Sequence, residues 1–137
     1  MIIVFGFCIG ALILQIQGVE ETPGERFKRT KCECQANPAT HIDDADLSRF
    51  GNGQEVDHSK LGPFLLCFNV GMGLQQPNGD LVPNFREIVS QVIPADRIDD
   101  YIKTCGKRAS DDAEEAAIIL SKCTNDFDPA HNPFRDP

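Results

Sequence analysis

The 137-residue sequence has no tryptophan and one tyrosine, so any interior must be built from its nine phenylalanines and from aliphatic side chains. Basic residues are scarce too: 13 Lys and Arg stand against 21 Asp and Glu, for a formal net charge of −8. Without a basic stripe to release counterions from phosphates, neither nucleic acid nor an anionic membrane is expected as a stable partner. No Asn-x-Ser/Thr sequon occurs, so no N-glycan is expected. HExxH, GxSxG and glycine-rich phosphate loops are missing. The histidines His41, His58 and His131 stand in polar or turn-like contexts and read as solvated. Adjacent acids such as Asp43-Asp44, Asp99-Asp100 and Asp111-Asp112 point about 100° apart on a helix and do not share one site. No enzyme activity, cofactor or metal is expected.

Long hydrophobic runs are limited to one, MIIVFGFCIGALILQIQG, which is free of charge from Met1 to Gly18. It reads as a secretory signal peptide over residues 1–18, cut near Gly18. The alternative is a retained anchor, but a spanning helix needs about 20 apolar residues and firmer charged flanks. The expected product is secreted and extracellular, with one domain over 19–127, a tail over 128–137 and no stable membrane association. Cleavage removes Cys8, so the six cysteines become five: Cys32, Cys34, Cys67, Cys105 and Cys123. In an oxidising compartment well-spaced cysteines are more often bridges than reactive thiols. Five is odd, so one is left over or pairs between chains.

No stretch alternates apolar and polar residues long enough for a sheet, whereas helical spacing recurs, and the domain reads as all-α. Leu61, Phe64, Leu65, Phe68 and Met72 form one apolar face. Pro63 resists a helix interior, which places the start of that helix at Gly62 or Pro63. Gly73 and Pro77-Asn78-Gly79 supply a reversal. Pro83 is expected to open a helix carrying Phe85, Ile88, Val89 and Val92, and Pro94 another carrying Ile98, Ile102 and Cys105 up to a stop at Gly106. Ser110 is the expected N-cap of the last helix, whose apolar stripe is Ala116, Ile119, Leu120, Cys123 and Phe127. Upstream, Gly24 to Ala36 with Phe27, and Asp43 to Phe50, make two more helices, about six short amphipathic helices in all. DPAHNPFRDP, with three prolines and no periodicity, is a tail disordered unless something docks it.

Cys32 and Cys34 lie one residue apart in TKCECQ. A structural zinc site needs four ligands, usually from two closely spaced pairs, and the other three cysteines stand singly on different expected helices. Each of those three sits on the apolar stripe of its helix, where a bridge can staple two packed helices. The run KLGPFLLCFNVGMGLQQPNGDLVPNFREIVSQVIPADRIDDYIKTCGKRASDDAEEAAIILSKC resembles the insect odorant-binding protein family, of the pheromone and general odorant-binding kind, over Cys34 to Cys123. That family is marked by six cysteines, with three residues between the second and third and eight between the fifth and sixth, bridged first to third, second to fifth and fourth to sixth. Here the second and fifth positions fall on Pro63 and Glu114. Both belong to one bridge, as in the reduced-cysteine (C-minus) branch.

The resemblance implies two bridges, Cys105 with Cys123 and Cys67 with either Cys34 or Cys32. Cys34 follows Phe27 by seven residues and shares its face, so Cys34 is expected inward and Cys32 is expected to be a free thiol, exposed and able to link a weak dimer of an otherwise monomeric protein. The resemblance also implies an apolar cavity within the helices that binds and transports a small hydrophobic ligand such as an odorant or pheromone, with an olfactory receptor as a further partner. On that expectation the cavity wall comprises Phe64, Phe68, Met72, Leu74, Phe85, Val89, Val92, Ile102, Ile119 and Phe127. Periodicity alone leaves each of these equally open to ordinary core packing. The alternative function is a secreted helical interaction or inhibitor protein with a solid core.

Overall fold

The computed structural model describes residues 21–135, apart from the side chain of His131. The expected signal peptide and Cys8 lie outside the described residues. Six α-helices follow one another: α1 (Pro23–Ala36), α2 (Asp44–Gly51), α3 (His58–Gly71), α4 (Phe85–Val89), α5 (Ile98–Cys105) and α6 (Ala113–Phe127), closed by a 3-10 turn at Pro129–His131. The described residues contain no strand, only an isolated bridge between Gln75 and Leu81 across the PNG turn. Gly79 makes that turn with φ of 98°, a value that side chains resist.

Helix starts follow local chemistry more than the proline positions. At α1, Thr22 Oγ1 accepts from the Glu25 N–H and the Glu25 carboxylate accepts from the Thr22 N–H, each at 3.1 Å, a reciprocal capping box with Pro23 in the first turn. At α3 the Asp57 carboxylate accepts from the Ser59 N–H at 2.9 Å, so the helix starts at His58, well before Pro63. Pro63 is carried inside it because it forfeits a single intrahelical hydrogen bond and because Gly62 has no Cβ for the ring to strike. Pro94 opens a turn, closed by Arg97 N–H to Pro94 O at 2.9 Å, and α5 begins only at Ile98. Asp112, not Ser110, caps α6: its carboxylate accepts from the Glu114 N–H at 3.3 Å, while Ser110 Oγ accepts from the Asp112 N–H at 3.2 Å one turn earlier.

Two hydrophobic clusters form the interior. One gathers Cys34, Ile42, Leu47, Phe50, Leu61, Phe64, Leu65, Phe68, Ala117, Ile118 and Phe134. The other gathers Phe85, Val89, Ile93, Ile98, Tyr101, Cys105 and Leu120. Helix α6 belongs to both, giving Ala117 and Ile118 to the first and Leu120 to the second. Bridges staple each cluster: Cys34 to Cys67 ties α1 to α3, and Cys105 to Cys123 ties α5 to α6. Their separations of 33 and 18 residues make each worth about 3 to 4 kcal/mol of loop entropy. Cys32 is a correction: it is disulfide-bonded, not a free thiol. The expectation of a spare counted only the five cysteines that follow residue 18.

Where the resemblance implies the missing third bridge, α3 and α6 meet directly. A Cβ on Gly62 would stand 2.9 Å from Glu114 Cβ, so the absence of a side chain at position 62 lets the helices close on each other. Beside them His58 Nδ1 lies 2.7 Å from Glu115 Oε1, so this histidine is paired to a carboxylate across the two helices, not merely solvated.

The segment after α6 is docked. Asn132 Nδ2 donates to Gly51 O at 2.7 Å, and Asn132 Oδ1 accepts from the Phe134 N–H at 2.9 Å. A Cβ on Gly51 would fall 2.0 Å from Phe134 O, so only glycine admits this strap. Phe134, 8% exposed, enters a ring of Phe27, Phe50, Phe64 and Phe68 at centroid distances of 5.0 to 6.2 Å.

At the crossing of α1 and α3, Thr30 is 1% exposed and its Oγ1 has no hydrogen-bond partner among the described residues. Thr30→Val keeps the shape and removes the stranded hydroxyl, so it is expected to raise the urea midpoint by an amount equivalent to about 1 kcal/mol. A lower midpoint would show that the hydroxyl is hydrogen-bonded in solution.

Candidate functional site

Between the two clusters lies a cavity of about 310 Å³. Phe27, Phe68, Met72 and Phe134 line it from the first cluster's side, and Leu74, Ile93 and Leu120 from the second's. The exposed residues Pro23, Gly24, Val92 and Pro133 form its rim. A smaller chamber of about 90 Å³ shares Met72, Leu74, Val92 and Ile93 with it and reaches Val89 and Tyr101. A larger surface groove of about 470 Å³ is lined by polar groups such as Asn52, Lys122, Asp126 and Arg135 and lacks such an apolar wall.

The rim is held by charge. Glu21 accepts from Arg29 Nε at 2.7 Å and from Arg29 Nη2 at 2.9 Å, with Arg26 Nε at 3.5 Å, which ties the chain entering α1 back onto that helix beside Pro23 and Gly24. The hydrogen bonds from Arg29 hold the Glu21 carboxyl below its ordinary pKa, against the opposing effect of burial, and Glu21 raises that of Arg29. On the inner side Tyr101 Oη lies 2.8 Å from Thr124 Oγ1, and Thr124 Oγ1 donates to Leu120 O at 2.8 Å, so the tyrosine hydroxyl is the donor of the pair. Burial pushes the Tyr101 pKa up, which keeps that proton in place.

Of the ten residues expected in the wall, Phe68, Met72, Leu74 and Val92 line the cavity, and Val89 lines the smaller chamber. The other five are elsewhere. Phe64 is fully buried inside the first cluster, and Phe85 is buried in the second, stacked on Tyr101 at 6.2 Å. Ile102 packs on the outside of that second cluster. Phe127 packs on the outside of the second cluster, edge-on to Tyr101 at 5.3 Å, with the Arg97 guanidinium 4.4 Å over its ring and Arg97 Nη2 donating to Phe127 O at 2.9 Å. Ile119 is 39% exposed. The inward arc of α6 runs over Ala116, Ala117, Ile118, Leu120 and Ser121, and at about 100° per residue Ile119 falls on the opposite, outward side. Small residues face α3 here because the helices are close, and a reading weighted by hydrophobicity passes over them.

The same weighting missed Asn69 and Ser121, polar residues on inward faces. A lone asparagine inside the apolar run FLLCFNV was the available signal for the first.

Helices stapled around an apolar cavity with a few polar groups define the class of small-molecule binding folds. Residues 18–126 match the PBP/GOBP family, and the chain belongs to that family, the insect odorant-binding proteins, whose members bind small hydrophobic ligands. No curated protein and no solved structure matches the chain. Among the described residues no helix is long and apolar enough to cross a membrane.

Two outcomes are expected at the site. The depressed pKa of Glu21 means that its contribution is fully present above the ordinary 4.5 and is lost as pH falls through the lower folded value. A carboxyl titration by NMR should therefore place Glu21 below 4.5, with Arg29→Met returning it toward that value; a midpoint at or above 4.5 in the unsubstituted protein would contradict the tether. Phe134→Ala is expected to cost about 3 kcal/mol in chemical unfolding, the usual scale for emptying a buried phenylalanine site. Unchanged stability would mean that the strap is undocked in solution.

Proposed function

We propose that this protein carries a small hydrophobic ligand through an aqueous extracellular fluid, entering and leaving by the rim at Pro23, Gly24, Val92 and Pro133. The observation that supports this most is the apolar cavity at the junction of the two clusters, at the low end of the range of about 300 to 1,000 Å³ usual for ligand pockets. Membership of an odorant- and pheromone-binding family supports the same reading. On this reading residues 1–18 are the leader that exports the chain, and the protein is of the reduced-cysteine branch, with Pro63 and Glu114 at the positions of the lost bridge and Gly62, next to Pro63, set close against Glu114.

Burial of apolar surface is sufficient for useful affinity. A ligand of about ten methylenes gains roughly 8 kcal/mol gross at about 0.8 each, comparable to micromolar binding before the cost of association. Phe27, Phe68 and Phe134 give firm walls, and Met72 gives one that adapts to ligand shape. Partner recognition by a receptor would follow loading and is not needed for carriage.

The test is saturable uptake of an apolar fluorescent probe by the oxidised protein, with a dissociation constant in the micromolar range, and displacement by volatile or terpenoid ligands. Met72→Asp should weaken uptake at least about ten-fold by placing a charge in the apolar site. No saturable uptake would leave the interaction-protein reading in its place.

A further inference from the structure

We infer that Asn52, followed by Gly53, is a site of spontaneous deamidation, and that its conversion to aspartate and isoaspartate loosens the strap that docks on Gly51. The reaction needs only solvent water and is independent of what the cavity holds.

Two asparagines of the chain are followed by glycine, Asn52 and Asn78. A glycine in that place leaves its main-chain nitrogen unshielded and free to turn toward the side chain, because it has no Cβ and accepts most backbone angles. In the reaction Gly53 N attacks Asn52 Cγ, the Cγ–Nδ2 bond breaks, and Nδ2 departs as ammonia with the proton that Gly53 N gives up. Water then opens the resulting succinimide at one of its two carbonyls. Opening at Cγ yields aspartate; opening at the main-chain carbonyl yields isoaspartate, in which the chain runs on through Cβ and Cγ. Nothing is oxidised or reduced.

The two sites differ in how firmly they are held. Asn52 and Gly53 are exposed, and the Asn52 carboxamide has no hydrogen bond among the described residues. Gly53 holds φ of 80°, and a Cβ on it would meet nothing within 4 Å. The bond from Gly53 N–H to Phe50 O, at 3.1 Å, must open before the nitrogen can reach Cγ, and it lies just past the end of α2, where local opening costs least. At Asn78 both ends of the carboxamide are occupied: Nδ2 donates to Asp80 Oδ2 at 3.1 Å, and Oδ1 accepts from the Asp80 N–H at 2.9 Å. Gly79 is buried, its N–H donates to Gln76 O at 2.9 Å, and its carbonyl accepts from Gln75 Nε2 at 3.2 Å. A Cβ on Gly79 would lie 2.7 Å from Ala113 Cα, so this turn is clamped against α6 and cannot swing its nitrogen onto Cγ without local unfolding.

Conversion at Asn52 acts on the strap through the end of α2. Asn52 is the C-cap of that helix: its N–H is shared between Ser48 O at 3.0 Å and Arg49 O at 3.2 Å, and the Gln54 N–H returns to Arg49 O at 2.8 Å. Isoaspartate lengthens the chain by a backbone atom between residues 52 and 53, which takes the Gly53 and Gln54 N–H groups out of register with those carbonyls. Either product also places a carboxylate at the negative end of the helix dipole, where it is disfavoured. The neighbour that must shift is Gly51, whose O accepts from Asn132 and whose bare Cα lies under Phe134 O. Moving Gly51 releases the segment that carries Phe134 into the cavity wall.

The test is incubation of the oxidised, unsubstituted protein in mildly alkaline buffer, with conversion followed by peptide mapping in a mass spectrometer and isoaspartate marked by an isoaspartyl methyltransferase. The expected result is conversion at Asn52 at least about ten-fold faster than at Asn78, the scale set by the two net hydrogen bonds that hold the second carboxamide. In the converted fraction, separated by anion exchange, the Phe134 amide hydrogen should exchange with solvent at least about five-fold faster, the scale of one lost hydrogen bond. Conversion at Asn78 as fast as at Asn52, or an Asn52 that stays intact while a free peptide of residues 51–55 converts in the same buffer, would overturn the site. Unaltered exchange at Phe134 in the converted fraction would overturn the effect on the strap.

Discussion

The close approach of α3 to α6 is the constraint on which the rest of the molecule depends. At one end Gly62 leaves room for Glu114, and at the other Asn69 reaches Ala117 O and Ser121 Oγ across an interface floored by alanine and serine. Small residues bring the backbones together, and the buried amide then has acceptors within reach, which offsets the cost of burying it. Because α6 must also bury Leu120 against α5, it stands between two clusters that cannot merge. The cavity is the space left where those clusters face each other beyond the end of α3.

The ends of the chain complete that cavity from opposite sides. The segment entering α1 is held by the Glu21 to Arg29 pair, and the segment leaving α6 is held by Asn132 and by Phe134 among four other aromatic rings. Both attachments are thinner than the disulfide-stapled helices between them, one resting on a charge pair and the other on one buried ring and two hydrogen bonds. Elements of this kind sit at the low-stability end of a fold, where opening to a ligand costs least. A rigid frame with lightly held edges suits a binding protein that must admit and release an apolar guest.

Several features of this design were legible in the residues. The helical spacing of Leu61, Phe64, Leu65 and Phe68 marked α3, and all four are buried. The placing of Cys34 on the face of Phe27 agrees with its bridge to Cys67. Helix starts were legible less well, since Pro63 and Pro94 drew attention from Asp57, whose carboxylate caps α3, and from the turn that Pro94 opens. Proline forbids little in a first turn and tolerates a glycine before it, so its position bounds a helix loosely.

What the sequence by itself determined is the all-α class, the inward face of α3 and the cysteines able to staple, because periodicity and spacing are properties of single helices. Which inward residues meet a void was decided only by tertiary structure. Phe64 and Phe68 are one turn apart on the same face, yet only Phe68 borders the cavity, since Phe64 lies inside the first cluster. Asn69, Ser121 and Phe134 acquired their places through contacts spanning dozens of residues, from Asn69 to Ser121 and from Asn132 to Gly51. No local pattern encodes such contacts, because they depend on how closely two helices approach and on where a tail finds a glycine to lie against.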